Sequence, residues 1–298
     1  MASHALSNQE SQSGKSFNLT AESVDLESDT QFVQEKELGI NGTIVVKIGG
    51  STLGSHDTTL EDVVELHRQG YRLVVVHGGG KLINHWMERQ GVRPRFVKGL
   101  RVTDRPSLDI VVAVLTGVVN KSIVASILKI DGKAIGLAGV DGGMLRAKII
   151  TPELGLVGDV VEVDTAPICA VLDSGAIPVI APVSVHADGD SPEEEPILNV
   201  NADSAAGEIA AFLRAQRLVF MTDVEGVLDS SRRLIPRLTD RQARGLMRSN
   251  IIDGGMVPKI GACLKALENI ETAQIIDGRK PHALKQIMSG CALGTQIG

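Results

Sequence analysis

The sequence predicts an α/β protein built on a mainly parallel sheet. Short runs of apolar, β-branched residues recur along the chain. The two clearest, residues 44–48 (I-V-V-K-I) and 73–77 (L-V-V-V-H), end in glycine clusters, Gly49-Gly50 and Gly78-Gly79-Gly80. Between such runs lie segments that open as helices do, with hydroxyl residues and then acids, as in Thr58-Thr59 before Glu61-Asp62. Strand and helix alternating in this way is the pattern of parallel sheets, whose crossovers are helices.

Residues 1–41 are polar, Ser-rich and acidic, without an apolar signal core, and are expected to form a disordered tail. Order is expected from a strand at 43–48. A helix follows at 58–69 and stops at Gly70, then a strand at 72–77 and a helix at 80–87. Residues 93–103 read as a short hairpin, after which Asp104 or Ser107 caps a long helix reaching about 129. A strand at 133–137, hairpin material at 145–163, a helix at 166–174 and a strand at 177–182 come next. Residues 187–196 carry Pro, Gly and charge and read as a loop; 198–200 is a strand, and Asn201-Ala202-Asp203-Ser204 opens an Ala-rich helix. The remainder reads as a strand at 217–221, helices at 239–248 and 256–269, a strand at 273–276, a helix at 281–288 and a last strand at 294–297. A boundary near Gln216 divides the ordered part into an N-terminal lobe, 42–216, and a C-terminal lobe, 217–298, on one nearly continuous sheet.

Composition excludes several classes. The 298 residues are 43% hydrophobic and 22% charged, ample for a buried core. A net charge of −6, with 5 Phe, 1 Trp and 1 Tyr, offers a nucleic acid neither a cationic face nor stacking platforms. No apolar run reads as a membrane span; 110–119 comes nearest, and the Asn120-Lys121 after it fits a buried helix. Cys169, Cys263 and Cys291 are far apart, which fits a reduced, cytoplasmic setting.

The chemistry-bearing residues gather at the ends of predicted strands. Lys47 lies inside an apolar strand, where an ammonium is costly unless an anion meets it. Beside it, Gly49 and Gly50 leave main-chain amides bare, and Gly78-Gly79-Gly80 before a helix makes a second anion nest. Ile-Gly-Gly and His-Gly-Gly-Gly-Lys-Leu are neither a Walker loop nor a dinucleotide fingerprint. There is no G-x-S-x-G and no H-E-x-x-H, so neither a hydrolase elbow nor a zinc site is indicated. Arg101 stands between hairpin and helix, where a guanidinium can fork onto a carboxylate. Asn199 and Asn201 share a strand face and Asp203 falls at a helix start; a cap accounts for one of the three. Two further polar stretches, D-V-E-G-V-L from Asp223 and G-G-M-V-P-K ending at Lys259, follow a strand and open a helix.

Taken in order, K-I-G-G-S, V-V-V-H-G-G-G, G-L-R-V-T-D, V-N-K, G-L-A-G-V-D-G-G, G-A-I-P-V-I-A-P, N-V-N-A-D-S-A-A, T-D-V-E-G-V-L and G-G-M-V-P-K resemble the amino acid kinase family, over nearly all of 43–297. The resemblance implies a three-layer αβα sandwich, with the acyl acceptor in the N-terminal lobe and ATP in the C-terminal lobe. It is strongest to members that phosphorylate the γ-carboxylate of N-acetyl-L-glutamate in arginine biosynthesis. It implies that Lys47 and Lys259 flank the transferring phosphoryl group and that Asp203 holds them. Gly49, Gly50 and Gly79 would donate amides to phosphoryl or carboxylate oxygens, and Gly79, Gly80, Arg101, Asn199 and Asn201 would bind the acceptor. Thr222, Asp223, Val224, Gly226, Val227, Leu228, Ile251, Ile252 and Asp253 would line the nucleotide pocket. Mg²⁺ would be held mainly through the ATP phosphates, with no direct protein ligand. The segment before the first strand lacks the apolar helix of arginine-inhibited hexameric members, so a homodimer through the long helix is expected. Alternatives are a kinase for N-blocked 2-aminoadipate or carrier-linked glutamate in lysine biosynthesis, or a non-catalytic sensor of the same fold.

Overall fold

The computed structural model describes residues 41–49, 58–187, 196–249, 252 and 254–298. Most of the expected tail, most of the 187–196 loop, and Gly50, Ile251 and Asp253 lie outside the described residues.

In chain order the elements are β1 (Asn41–Ile48), α1 (Thr59–Arg68), β2 (Tyr71–His77), α2 (Gly80–Arg89), β3 (Phe96–Val97), β4 (Leu100–Arg101) and α3 (Arg105–Val112). The helix continues through a π-helical stretch (Ala113–Val119) into α4 (Asn120–Lys129). Then come β5 (Ala134–Ala138), β6 (Leu145–Ile149), β7 (Val157–Val163), α5 (Ala166–Asp173), β8 (Ile177–Ala181), β9 (Val183–His186), β10 (Ile197–Val200) and α6 (Ala202–Phe212). β11 (Arg217–Thr222), β12 (Arg237–Leu238), α7 (Asp240–Arg248), α8 (Met256–Ala266), β13 (Ala273–Asp277), α9 (Ala283–Met288) and β14 (Thr295–Ile297) complete the chain.

The main sheet has eight strands in the order β12-β14-β13-β11-β1-β2-β8-β5, parallel except where β14 runs against β13. β1 sits at its centre, paired with β2 on one side and β11 on the other. Alternation along β1 sends Val45 into one apolar core, with Phe220, Ile209 and Ile260, and sends Ile44, Val46 and Ile48 into a second core on the opposite face, with Val63, Val111 and Leu284. A strand buried on both faces must be apolar throughout, which explains the unbroken V/I/L runs. Lys47 has the parity of Val45 and so faces the layer that holds α6 and α8.

Beside the unexpected two-residue strand β12 and the π-helical stretch, two departures from the expectations bear on the architecture. The chain from 177 to 186 is two strands, because Pro182 cannot donate to the ladder and the chain changes sheet there. β9 closes a small barrel with β6, β7 and β10; the sequence showed the β6–β7 hairpin and the β10 strand but not β9 or the closure. The second departure is the helix from Arg105 to Lys129: its 25 residues are long and apolar enough to cross a membrane, contrary to the sequence reading. It is a core helix here, with Leu108 buried and Val111, Val114, Leu115, Ile123 and Ile127 buried in the second core with residues of the sheet. Asp104 caps it, accepting from the Ser107 amide at 3.1 Å.

Candidate active site

The ends of β1, β2 and β11 meet the start of α6 along one edge of the sheet. Lys47 leaves β1 toward α6, and its Nζ lies 2.7 Å from Oδ1 of Asp203. The other oxygen, Oδ2, accepts from Lys259 Nζ at 3.0 Å. One carboxylate thus bridges two ammonium groups, and the side chains are 9% (Lys47), 6% (Asp203) and 18% (Lys259) exposed. Burial would raise the Asp203 carboxyl, but the charges and hydrogen bonds of Lys47 and Lys259 outweigh it and hold the group below the usual carboxylate range.

Local chemistry puts Asp203 in place. Asn201 is the N-cap of α6, its Oδ1 accepting from the amides of Asp203 (2.9 Å) and Ser204 (3.1 Å). That acceptor is therefore committed to the helix rather than pointed at a ligand. Lys259 arrives because α6 and α8 cross closely: a Cβ on Gly207 would lie 2.8 Å from the Ala262 carbonyl oxygen. Asp203 and Lys259 lie one turn before that crossing, four and three residues upstream of Gly207 and Ala262.

Lys259 also lines a cleft of about 430 Å³ with Asp223, Val224, Gly226, Val227, Leu228 and Ile252. Six of the nine residues expected at a nucleotide therefore border one cavity. Thr222 stands just behind it; its hydroxyl ties the turn, accepting from the Val224 amide (3.0 Å) and donating to the Val224 oxygen (3.1 Å). Gly254, Gly255 and Met256, not among the expected nucleotide residues, complete the lining. The G-G-M-V-P-K run was the available signal, but only its lysine stood out.

The glycine turns differ from each other. The Gly49 amide donates to Met221 O at 3.3 Å, extending the β1–β11 ladder, so it is engaged in the sheet rather than offered to an anion. Gly78 likewise donates to Ile48 O (3.1 Å). Gly79 is the N-cap of α2, and there the amides of the first helical turn lack intrahelical partners. A Cβ at Gly78 would come 3.8 Å from Ala202 Cβ, so this turn abuts α6 one residue before Asp203.

Arg101, at the end of β4, is buried. Its guanidinium donates to Asn84 Oδ1 (2.6 Å) and Gly80 O (3.2 Å), touches Met87 Sδ, and stacks on Phe96 at 4.8 Å. Burial lowers its pKa, and among the described residues its partners are neutral, which suits it to receive an anion. Asn199 donates to Thr103 Oγ1 at 3.1 Å, tying β10 to the chain just beyond β4. His77, at the end of β2, is wholly buried; burial first, then the charges of Lys47 and Lys121, lower its pKa to about 4 against an opposing hydrogen bond to Gly78.

Two cations pinned by one carboxylate thus lie between a helix-capping glycine turn and a cleft. The chain belongs to the amino acid kinase family, whose model matches residues 42–277. Its relatives include the acetylglutamate kinase of Dehalococcoides mccartyi (strain ATCC BAA-2266 / KCTC 15142 / 195), 44% identical over 257 residues, covering 86% of this chain and 94% of the relative. The acetylglutamate kinase of Acaryochloris marina (strain MBIC 11017) is 42% identical over 267 residues, covering 86% and 91%. Among solved structures, smu.665 from Streptococcus mutans UA159 superposes with a TM-score of 0.72 at 28% identity, covering 86% of this chain and 98% of that one.

Proposed function

We propose that this chain transfers the γ-phosphoryl group of ATP to the γ-carboxylate of N-acetyl-L-glutamate, giving N-acetylglutamyl 5-phosphate and ADP, as a step of arginine biosynthesis. The Lys47–Asp203–Lys259 bridge carries the reading, and relatives 42–44% identical over 86% of the chain support the choice of acceptor.

A carboxylate is already a nucleophile, so the reaction needs no general base. One carboxylate oxygen bonds to the γ-phosphorus as the bond to the β,γ-bridging oxygen breaks, and ADP leaves with that electron pair. The difficulty is electrostatic, because two anions must approach in line. Lys47 and Lys259 place positive charge on either side of the equatorial oxygens, and the Gly79 amide adds a fixed dipole. Asp203 keeps the two ammonium groups from splaying apart before substrate arrives. Arg101 pairs with the acceptor's α-carboxylate, Asn199 and Gly80 border its amino-acid end, and the cleft beside Lys259 takes the nucleotide. The N-terminal lobe thus serves the acceptor and the C-terminal lobe serves ATP. Mg²⁺ bound to the ATP phosphates would share their charge; both oxygens of Asp203 face lysines, so this carboxylate would hold the ammonium groups rather than the metal. The protein works in the cytoplasm, with its three cysteines as thiols, and pairs as a homodimer along the long helix.

The test is ADP release with N-acetyl-L-glutamate, with its one-carbon-longer homologue, and with no acceptor. The expected order is fast, at least about tenfold slower, and none, since a methylene is worth about 1–3 kcal/mol. Lys47→Ala or Lys259→Ala should lower kcat by about 10²–10³-fold. Near-wild-type turnover in Lys47→Ala removes the assignment, and preference for the longer acid moves the protein to the other acceptor class.

A further inference from the structure

We infer that His77 and Asn120 form a positioning pair that aims the Gly79 amide at the phosphoryl site. The inference rests on the proposed role of that amide. His77 Nδ1 lies 3.1 Å from Gly78 O, and His77 Nε2 lies 3.2 Å from Asn120 Nδ2. The orientation of the Asn120 amide is set by its neighbours: Nδ2 also faces the carbonyls of Val179 (2.8 Å) and Leu137 (3.3 Å), while Oδ1 faces Lys121 Nζ (3.0 Å). An amide nitrogen only donates, so Nε2 of His77 accepts, and the single proton of the neutral imidazole sits on Nδ1. Nδ1–H therefore donates to Gly78 O.

Peptide geometry carries this hydrogen bond through to the site. In a trans peptide the C=O of one residue and the N–H of the next point in opposite directions. Holding Gly78 O back against the buried imidazole turns the Gly79 N–H away from it. The far side is held as well: a Cβ at Gly79 would lie 2.8 Å from Leu115 Cδ2 and 3.3 Å from Val119 Cγ2. Both residues belong to the π-helical stretch that ends immediately before Asn120. An extra residue in a turn rotates the remainder of the helix about its axis, and interruptions of this kind recur at functional sites. Space for the Asn120 side chain comes from Gly136 in β5, where a Cβ would collide with Asn120 Oδ1.

Two substitutions of His77 separate aiming from packing. In His77→Asn the side-chain nitrogen can occupy the Nδ1 position and still donate to Gly78 O, at the cost of a cavity. In His77→Gln the terminal amide reaches the Nε2 position, fills the space and satisfies Asn120, but nothing stands at Nδ1. Steady-state kinetics and denaturant unfolding of the full chain should therefore rank the two in opposite orders. His77→Gln should be the more stable and lose about 10- to 100-fold in kcat, with both KM values within about twofold. His77→Asn should be the less stable and keep kcat within about fivefold. If His77→Asn does not fold, His77→Gln alone carries the test, since it fills the site and removes only the donor to Gly78 O. Wild-type kcat in His77→Gln, or turnover that follows stability across the set, overturns the inference. Lys47→Ala run alongside separates the two levels: if it is fully active, the phosphoryl-site reading has failed, whereas an inactive Lys47→Ala with a fully active His77→Gln refutes only the aiming role.

Discussion

Replacing Asp203 by Asn tests the central arrangement, because it changes charge while keeping shape. The carboxylate lies 2.7 Å from Lys47 Nζ and 3.0 Å from Lys259 Nζ. At an effective dielectric of about 20, each contact is worth about 5–6 kcal/mol before the cost of desolvation. Most of that gross attraction offsets the burial of three charges, so the pair energies do not add to the stability of the fold. When one partner goes, a buried ammonium remains without a counter-ion, which typically costs about 3–5 kcal/mol. Lys47 bears more of this than Lys259, whose side chain is 18% exposed and keeps Gly255 O at 3.3 Å. Asp203→Asn should therefore lower the unfolding free energy by about 3–5 kcal/mol and kcat by about 10²-fold or more. Saturating ATP analogue should restore more stability to the variant than it adds to the wild type, since phosphate oxygens supply the missing anion. Urea unfolding with and without nucleotide, together with ADP release, measures all three quantities. A variant within about 1 kcal/mol of wild type that turns over normally would refute the view that Asp203 holds the lysines.

The same geometry gives two further outcomes. Gly207→Val should push α6 from Ala262, loosening Lys259 from Asp203; the expected result is a loss of about 1–3 kcal/mol in unfolding with at least about a tenfold fall in kcat, and unchanged turnover would show that the crossing does not set the site. His77 adds a pH dependence, because burial lowers its pKa from 6.5 in the unfolded chain to about 4. Between those values the unfolded chain binds a proton that the native imidazole refuses, so stability falls as pH drops from about 6.5 to about 4, by up to roughly 3 kcal/mol, and this contribution is flat below. His77→Gln should flatten that stretch of the stability–pH curve, and equal slopes in variant and wild type would refute the buried neutral imidazole.

Much of this protein was visible in local pattern. Strands buried on both faces must be apolar, so β1, β2, β8 and β11 stood out as V/I/L runs, and a lysine within one of them was conspicuous. Helix starts write their own chemistry, which exposed Asp104 and the Asn201–Asp203 opening. β9 was hidden because it comes after β8 with one proline between them and has no turn signal of its own, and β12 is two residues long, too short to show a period. The π-helical stretch is equally silent, since A-V-L-T-G-V-V satisfies an ordinary apolar helix. Gly49 illustrates the limit in the other direction: the glycine was plain, but whether its amide faces an anion or Met221 depends on the neighbouring strand.

Residue types, periods and caps are set by neighbours a few positions away, so the chain alone placed a lysine, a carboxylate and two glycine turns at the ends of their elements. Their meeting belongs to the packed molecule. Residues 47, 203 and 259 are brought within hydrogen-bond reach by the parity of β1 and by the Gly207–Ala262 crossing of two helices. Such contacts between distant segments arise from how faces pack, and no spacing along the chain encodes them.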